Sequence, residues 1–359
     1  MAINVNRRTL LGQAVLGALA GGLLRPASLL AAAEDPYLRF VHPELRGVAA
    51  AILARGINEK PLSSATLAAQ REGMSRFARP QRKDVPVERR VVPVGKPHPD
   101  VAVYVINARP GMARPAILHT HGGGFVLGSA ETSITDLQDL CAELDCVAVT
   151  VDYRLAPEAT YAASIEDNYA GLKWLHANAG ELGVDPARIA VMGESAGGGH
   201  AALLALTARD RGEVPVAFQC LVYPMLDDRT GTSRAVPPHV GKLIWTAPSN
   251  RYGWHSFLGL EPGGRRVPAR AVPARAASLA GLPPAFIGVG AIDLFHDEDV
   301  DYARRLNAAG VPAQLIVVPG GFHGFDRIGA FDPKARIAHW FNAAKKDALR
   351  RGLGIAQPA

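Results

Sequence analysis

Val191-Met192-Gly193-Glu194-Ser195-Ala196-Gly197-Gly198-Gly199 decides how this chain is read. The apolar run Arg188-Ile189-Ala190-Val191-Met192 suits a buried strand, and the small residues at 201–206 suit a helix packed closely on a sheet. Between them, G-x-S-x-G forms a sharp turn that pushes a serine hydroxyl outwards. Gly193 and Gly197 leave room for strand and helix to approach. Alone, the pentapeptide reads equally well as a glycine-rich turn with an incidental serine, so its meaning depends on partners elsewhere.

Those partners stand at matching positions. His121-Gly122-Gly123-Gly124 follows the apolar run Pro115-Ala116-Ile117-Leu118-His119-Thr120. Asp293 follows Ala285-Phe286-Ile287-Gly288-Val289-Gly290-Ala291, and His323 follows Leu315-Ile316-Val317-Val318-Pro319. Each group is expected at the carboxyl end of a strand, where open α/β sheets bind ligands. A serine, then an acid, then a histidine is the chain order of α/β hydrolases.

Further apolar runs complete a sheet: 87–94, 101–107, 115–121, 146–152, 188–192, 218–223, 285–291 and 313–318. Eight short runs separated by helical patterns predict an α/β fold with an eight-stranded, mostly parallel sheet flanked by helices. The link at 95–99 is too short for a helical crossover, so the first two strands are expected to pair antiparallel. Helical spacing recurs at Ile165, Tyr169 and Leu172, and again at Val300, Ala303 and Leu306 before Gly310.

Two segments fall outside the sheet pattern. Residues 34–86 carry two amphipathic stretches, 43–54 and 64–77, which fit either cap helices or a pair packed on the side of the core. After the sixth strand an insertion, about 226–275, is rich in Pro, Gly and Arg. A long segment without sheet elements inside a compact fold is usually a functional lid or a flexible insertion. Its Trp245, Tyr252, Trp254 and Phe257 suit an apolar lid, or equally that segment's own small core.

Taken together, HGGGF at 121–125, DYRLAPE at 152–158, GESAGG at 193–198, the acid Asp293 and HGF at 323–325 resemble the hormone-sensitive-lipase-like esterases, bacterial family IV of the α/β hydrolases. The resemblance implies an α/β-hydrolase catalytic domain over 87–359 with a cap built from the N-terminal segment and the insertion. It implies a serine carboxylesterase acting on short to medium acyl esters without a cofactor, the substrate being a small-molecule ester.

The residues support the same chemistry. A serine hydroxyl needs a base to take its proton, and His323 is the candidate, with Asp293 to orient it. Asp297 and Asp299 compete with Asp293, but Asp293 is first beyond the strand, and Asp297 and Glu298 read as the acidic first turn of the next helix. The backbone N–H groups of Gly123, Gly124 and Ala196 form the expected oxyanion hole. His121 and Gly122 shape that loop. The resemblance of 152–158 to the family's DYRLAPE loop implies that Asp152, Arg154 and Glu158 brace the site without reacting, and Glu194 flanks the serine where many relatives carry Asp. An amidase, formamidase or lactonase would use the same triad, and a non-catalytic small-molecule binding protein is the reading from another class.

The glycine loop lacks the Gly-Lys-Ser/Thr ending of a phosphate cradle. His119 and His121 have no third metal ligand placed in sequence, so no metal is expected and His119 reads as a strand residue. Cys141, Cys146 and Cys220 are an odd number without zinc spacing and read as buried thiols.

The 359 residues, 48% of them apolar, amply supply a core. The net charge of +6 includes Arg7, Arg8 and Arg25, and +6 less these three leaves +3 for the rest of the chain. No basic run interleaved with aromatics points to nucleic acid. Arg7 and Arg8 precede an apolar stretch to Leu24, with Ala31-Ala32-Ala33 before Glu34. Residues 1–33 therefore resemble a twin-arginine export signal, implying a periplasmic or secreted protein. The stretch from Leu10 to Leu24 is short of the roughly 20 residues of a spanning helix, so no stable membrane anchor is expected. A homodimer stays open beside a monomer.

Overall fold

The computed structural model describes residues 35–356, apart from 57–59, 76–77 and 331. The expected export signal at 1–33, and Phe77, lie outside the described residues.

The sheet has eight strands: β1 (Val87–Val92), β2 (Val101–Ile106), β3 (Arg114–Thr120), β4 (Val147–Val151), β5 (Val184–Glu194), β6 (Phe218–Val222), β7 (Ala285–Gly290) and β8 (Ala313–Val318). Their order is β1-β2-β4-β3-β5-β6-β7-β8. β1 pairs antiparallel with β2, and β2 pairs antiparallel with β4. All pairings from β4 to β8 are parallel. β5 begins four residues earlier than the apolar run at 188–192 because Val184 pairs with Arg114 across an irregularity in the ladder.

Side chains alternate across the sheet with the period of two that strands impose. Ile117, Ala190, Cys220 and Phe286 face one side, packing with α3 (Ile134–Leu144) and α9 (Arg336–Gly352). Ala116, Leu118, Val191, Leu221 and Ile287 face the other, under α4 (Tyr161–Ala177), α5 (Ala196–Arg211) and α7 (His296–Ala308). Covered on both faces, β3, β4, β6 and β7 are buried along their whole length and mostly apolar, as in other parallel sheets. Cys141, Cys146 and Cys220 are buried free thiols.

The segment 34–86 divides in its packing. Leu38, Val41 and Leu45, with Ala49 and Ile52 of α1 (Arg46–Ala54), join the core cluster of the α3 and α9 side. Leu62, Leu67 and Met74, on and before α2 (Leu67–Ser75), join a separate cluster with Phe125, Trp254 and Phe257. Both halves meet the insertion, but at different places: the Tyr37 hydroxyl donates to the His239 carbonyl at 3.2 Å and Phe40 stacks on the His239 ring, while the second half packs against Trp254 and Phe257. Within 226–275 the main element is α6 (Ala247–Leu258), whose Trp254 and Phe257 are fully buried. These aromatics are at once the insertion's own core and its contact with the glycine loop. Among the described residues, no helix is long and apolar enough to cross a membrane.

Candidate active site

Parallel register brings the carboxyl ends of the strands level. Thr120 pairs with Gly193, Glu194 with Val222, and Gly290 with Val318. The groups that follow β3, β5, β7 and β8 emerge side by side.

Ser195 occupies the turn between β5 and α5 with φ 59° and ψ −124°, outside the comfortable range of an L residue. The approach of strand and helix explains the glycines. A Cβ on Gly197 would run into the carbonyl oxygen of Thr120, and one on Gly193 into the Gly197 backbone. The turn is held by the Ser195 N–H donating to the Val222 carbonyl and the Met225 N–H donating to the Ser195 carbonyl, both at 2.9 Å.

His323 Nε2 lies 2.9 Å from Ser195 Oγ, and its Nδ1 lies 2.9 Å and 3.2 Å from the two carboxylate oxygens of Asp293. A carboxylate only accepts, so Nδ1 carries the proton and Nε2 is free to accept from the serine. Asp293 is completely buried and also accepts from the Phe295 N–H at 3.0 Å. Its rivals lie elsewhere. Asp297 is exposed beside His296. Asp299 is buried without a hydrogen-bond partner for either carboxylate oxygen among the described residues. Glu298, in the same first turn of α7, turns inwards and accepts from the N–H groups of Leu226 and Asp227, tying down the start of the insertion. Burial raises both carboxyls well above the usual range.

The glycine loop bends back over the serine. Gly123 and Gly124 have φ of +125° and +60°. A Cβ on Gly123 would strike the Leu127 carbonyl, and one on Gly122 would come 2.9 Å from the Glu194 carbonyl oxygen. Ala196 is the first residue of α5, and its N–H is among those a helix leaves unpaired. His121 braces the loop: Nδ1–H donates to the Gly122 carbonyl at 2.9 Å, and the ring stacks on Tyr153 at 4.2 Å. Burial lowers its pKa to about 4, so the ring is neutral.

The bracing residues are placed as follows. Asp152 accepts from the Ala130 N–H at 3.0 Å, and Arg154 grips the buried Asp167. Glu158 receives two bonds from Arg71 of α2, at 2.7 Å and 2.8 Å, and the same guanidinium donates to the Val126 and Ala156 carbonyls. This clamp joins the N-terminal part of the cap to the loop beyond Gly124. Glu194 reaches His119 Nε2 at 3.0 Å, while His119 Nδ1 meets the Thr150 hydroxyl at 2.9 Å. Burial alone would raise the Glu194 carboxyl, but His119 overrides it and holds the pKa at about 2.

Tyr223 and Asp326 carry no signal as site residues in the sequence, yet they meet the site. The Tyr223 ring stands edge-on to His323 at 4.8 Å, and its hydroxyl donates to Asp326 at 2.8 Å. Tyr223 is the residue just after β6, and Asp326 lies three residues after His323; only the fold makes them neighbours. No group of three or more potential metal ligands occurs among the described residues.

An eight-stranded α/β sheet with a serine, an imidazole and a carboxylate in hydrogen-bonded series at its carboxyl edge defines an α/β hydrolase. A family model described as the alpha/beta hydrolase fold matches residues 117–327. The chain is 38% identical over 251 residues to the carboxylesterase NlhH of Mycobacterium tuberculosis, covering 67% of this chain and 74% of that one. It is 32% identical over 227 residues to an ethyl acetate hydrolase of Pseudomonas putida, covering 63% and 70%. Among solved structures it resembles a bacterial heroin esterase, with a TM-score of 0.79 and 34% identity over 88% of this chain and 99% of that one. The chain belongs to the α/β-hydrolase family, among its hormone-sensitive-lipase-like carboxylesterases.

Proposed function

We propose that this carboxylesterase hydrolyses short to medium acyl esters of small molecules through an acyl-enzyme on Ser195, without a cofactor. The observation that carries the reading is the unbroken series Ser195 Oγ, His323 Nε2, His323 Nδ1, Asp293, each link within hydrogen-bonding distance. His323 takes the hydroxyl proton as Oγ attacks the ester carbonyl, and Asp293 stabilises the imidazolium that forms. The carbonyl oxygen becomes an oxyanion before the N–H groups of Gly123, Gly124 and Ala196. One such donor is worth about 10²- to 10³-fold in rate. His323 then gives its proton to the departing alcohol, and a water attacks the acyl-enzyme with the same histidine as base.

Short acyl groups accord with the crowding: Ser195 is 7% exposed and His323 6% exposed, with the Trp245 indole 6.3 Å from the His323 ring. The test is a panel of ethyl and nitrophenyl esters of rising acyl length, with amides and lactones alongside, on the full chain and on Ser195→Ala. Hydrolysis of esters by the wild type alone, together with covalent labelling by a fluorophosphonate, is the expected result. Equal inertness of both proteins towards every ester would end the proposal. Export through Arg7 and Arg8 is proposed independently, and retention in the cytoplasm after Arg7→Lys with Arg8→Lys is its check.

A further inference from the structure

Trp245 stands at the corner where the glycine loop and His323 meet. A Cβ placed on Gly124 would strike the indole at Cη2 and lie 2.6 Å from Cζ2. The Trp245 and His323 ring centres are 6.3 Å apart. The indole is 7% exposed, so it is packed in place.

Two independent devices hold it. Trp245 Nε1 donates to Asn250 Oδ1 at 3.1 Å, and the fully buried Asn250 donates in turn to the Thr230 carbonyl at 2.9 Å. The Trp245 N–H also donates to the Leu243 carbonyl at 2.8 Å, closing a three-residue turn on Ile244, whose φ is +67°. A β-branched residue is an outlier in that region, and a turn of this hand is rare and strained. Strain of this kind persists only where the surroundings over-determine it, and it clusters at functional sites. Here the strained turn sets the position of the indole.

The direction of the wall follows from the chemistry. With the ester oxygen facing Gly124, the departing alkoxide must lie beside His323 Nε2 to receive its proton. A surface that touches Gly124 and approaches His323 therefore faces the alcohol portion of the ester. We propose that Trp245 is the specificity-determining residue of the alcohol side, its locked indole admitting linear or flat alcohol moieties and rejecting saturated rings and branched ones. The inference rests on the ester-hydrolase reading and deepens it.

The experiment compares the full-length wild type with Trp245→Ala, Trp245→Phe and Asn250→Ala on two ester series. One holds the acyl group as acetate and varies the alcohol from ethyl through butyl to cyclohexyl. The other holds the alcohol as methyl and varies the acyl chain from acetyl to octanoyl. Fluorophosphonate titration counts competent sites, so a misfolded variant is not mistaken for a selective one. In Trp245→Ala, kcat/KM for cyclohexyl relative to ethyl acetate is expected to rise about tenfold or more, the scale of a change in pocket volume. Asn250→Ala moves the same way by less, Trp245→Phe lies between, and the acyl series shifts less than about threefold in every variant. A shift in the acyl series instead, or no shift in either, overturns the assignment. Inertness of the wild type towards ethyl acetate and all methyl esters would instead defeat the underlying esterase reading.

Discussion

The Tyr223 hydroxyl donates to the Asp326 carboxylate at 2.8 Å, a buried bond between the residue after β6 and α8 (Phe325–Gly329), which starts at the last residue of the HGF motif. Asp326 is also met by Lys345 Nζ at 3.4 Å, so a strut runs from α9 through Asp326 and Tyr223 to the edge of the His323 ring. Burial, then the nearby Asp326 charge, raises the Tyr223 pKa far above neutrality, so the hydroxyl remains a donor. Removing it with Tyr223→Phe costs about 1 kcal/mol of bonding and frees the ring under the imidazole. A positioning role predicts a fall in kcat of about three- to tenfold with little change in KM. Steady-state kinetics decides it, and an equal loss in stability with unchanged kcat would show that the strut serves folding alone.

Gly124→Ala tests the crowding at the glycine loop. The added methyl meets the Trp245 indole, and φ of +60° carries a further cost of roughly 1–2 kcal/mol for an L side chain. The loop must shift, and losing one oxyanion donor lowers kcat by about 10²-fold or more. Because the clash is with one side chain, Gly124→Ala combined with Trp245→Ala should recover about tenfold over Gly124→Ala alone, the residue being backbone cost. Additive losses in the double variant would mean that the indole is not what the methyl meets.

How far the sequence carries can be seen at particular residues. Ser195, Asp293, His323 and Gly123 to Ala196 are spread over the chain, but each follows an apolar strand, and parallel register then sets them level. That much follows from local pattern and chain order. The pairing of Glu194 with His119 does not, because it crosses 75 residues and depends on which faces of β3 and β5 meet. The stretches 43–54 and 64–77 fit a cap and the side of the core equally well because amphipathic periodicity reports that a face is buried, never against what; Leu45 packs under the sheet and Leu67 under the insertion. Asp297 and Glu298 read as the acidic first turn of a helix; Asp297 is exposed there, but Glu298 is buried, because the start of the insertion folds over that turn.

Glu194→Gln removes the charge that faces His119. The Glu194 carboxyl has its folded pKa near 2, against about 4.5 in an unfolded chain. Its stabilisation is therefore complete above about pH 4.5 and is lost as the pH falls through about 2. At pH 7 the variant should be less stable by at most about 3 kcal/mol, since each pKa unit is worth about 1.4 kcal/mol. The gap between the two proteins should shrink progressively below about pH 4.5. Urea unfolding at pH 7, 4 and 3 reads this directly, and a pH-independent gap would assign the loss to packing instead of charge.

His200 lies behind the site, in the helix after Ser195, with its ring against Phe125, Tyr153 and Phe257 and no hydrogen-bond partner for either nitrogen among the described residues. Burial, with His121 nearby, lowers its pKa to about 3, and burial lowers that of His121 to about 4. Unfolded, each would protonate near 6.5, so as the pH falls below that value the unfolded chain binds protons that the folded chain refuses. The unfolded state gains, and stability declines with acidification. From pH 7 to pH 5 each histidine accounts for about 2 kcal/mol of that decline. The buried Glu298 and Asp299 act in the opposite sense, but equally in wild type and variant, and cancel from the comparison. Leucine suits the apolar surroundings of the ring and cannot titrate. His200→Leu should therefore lose about 2 kcal/mol less than the wild type between pH 7 and pH 5, with denaturant midpoints at the two values as the measurement. Identical losses would mean that another group governs the acid sensitivity, and a larger loss in the variant would mean that the folded chain binds the His200 proton more tightly than the unfolded one, the opposite of the effect of burial.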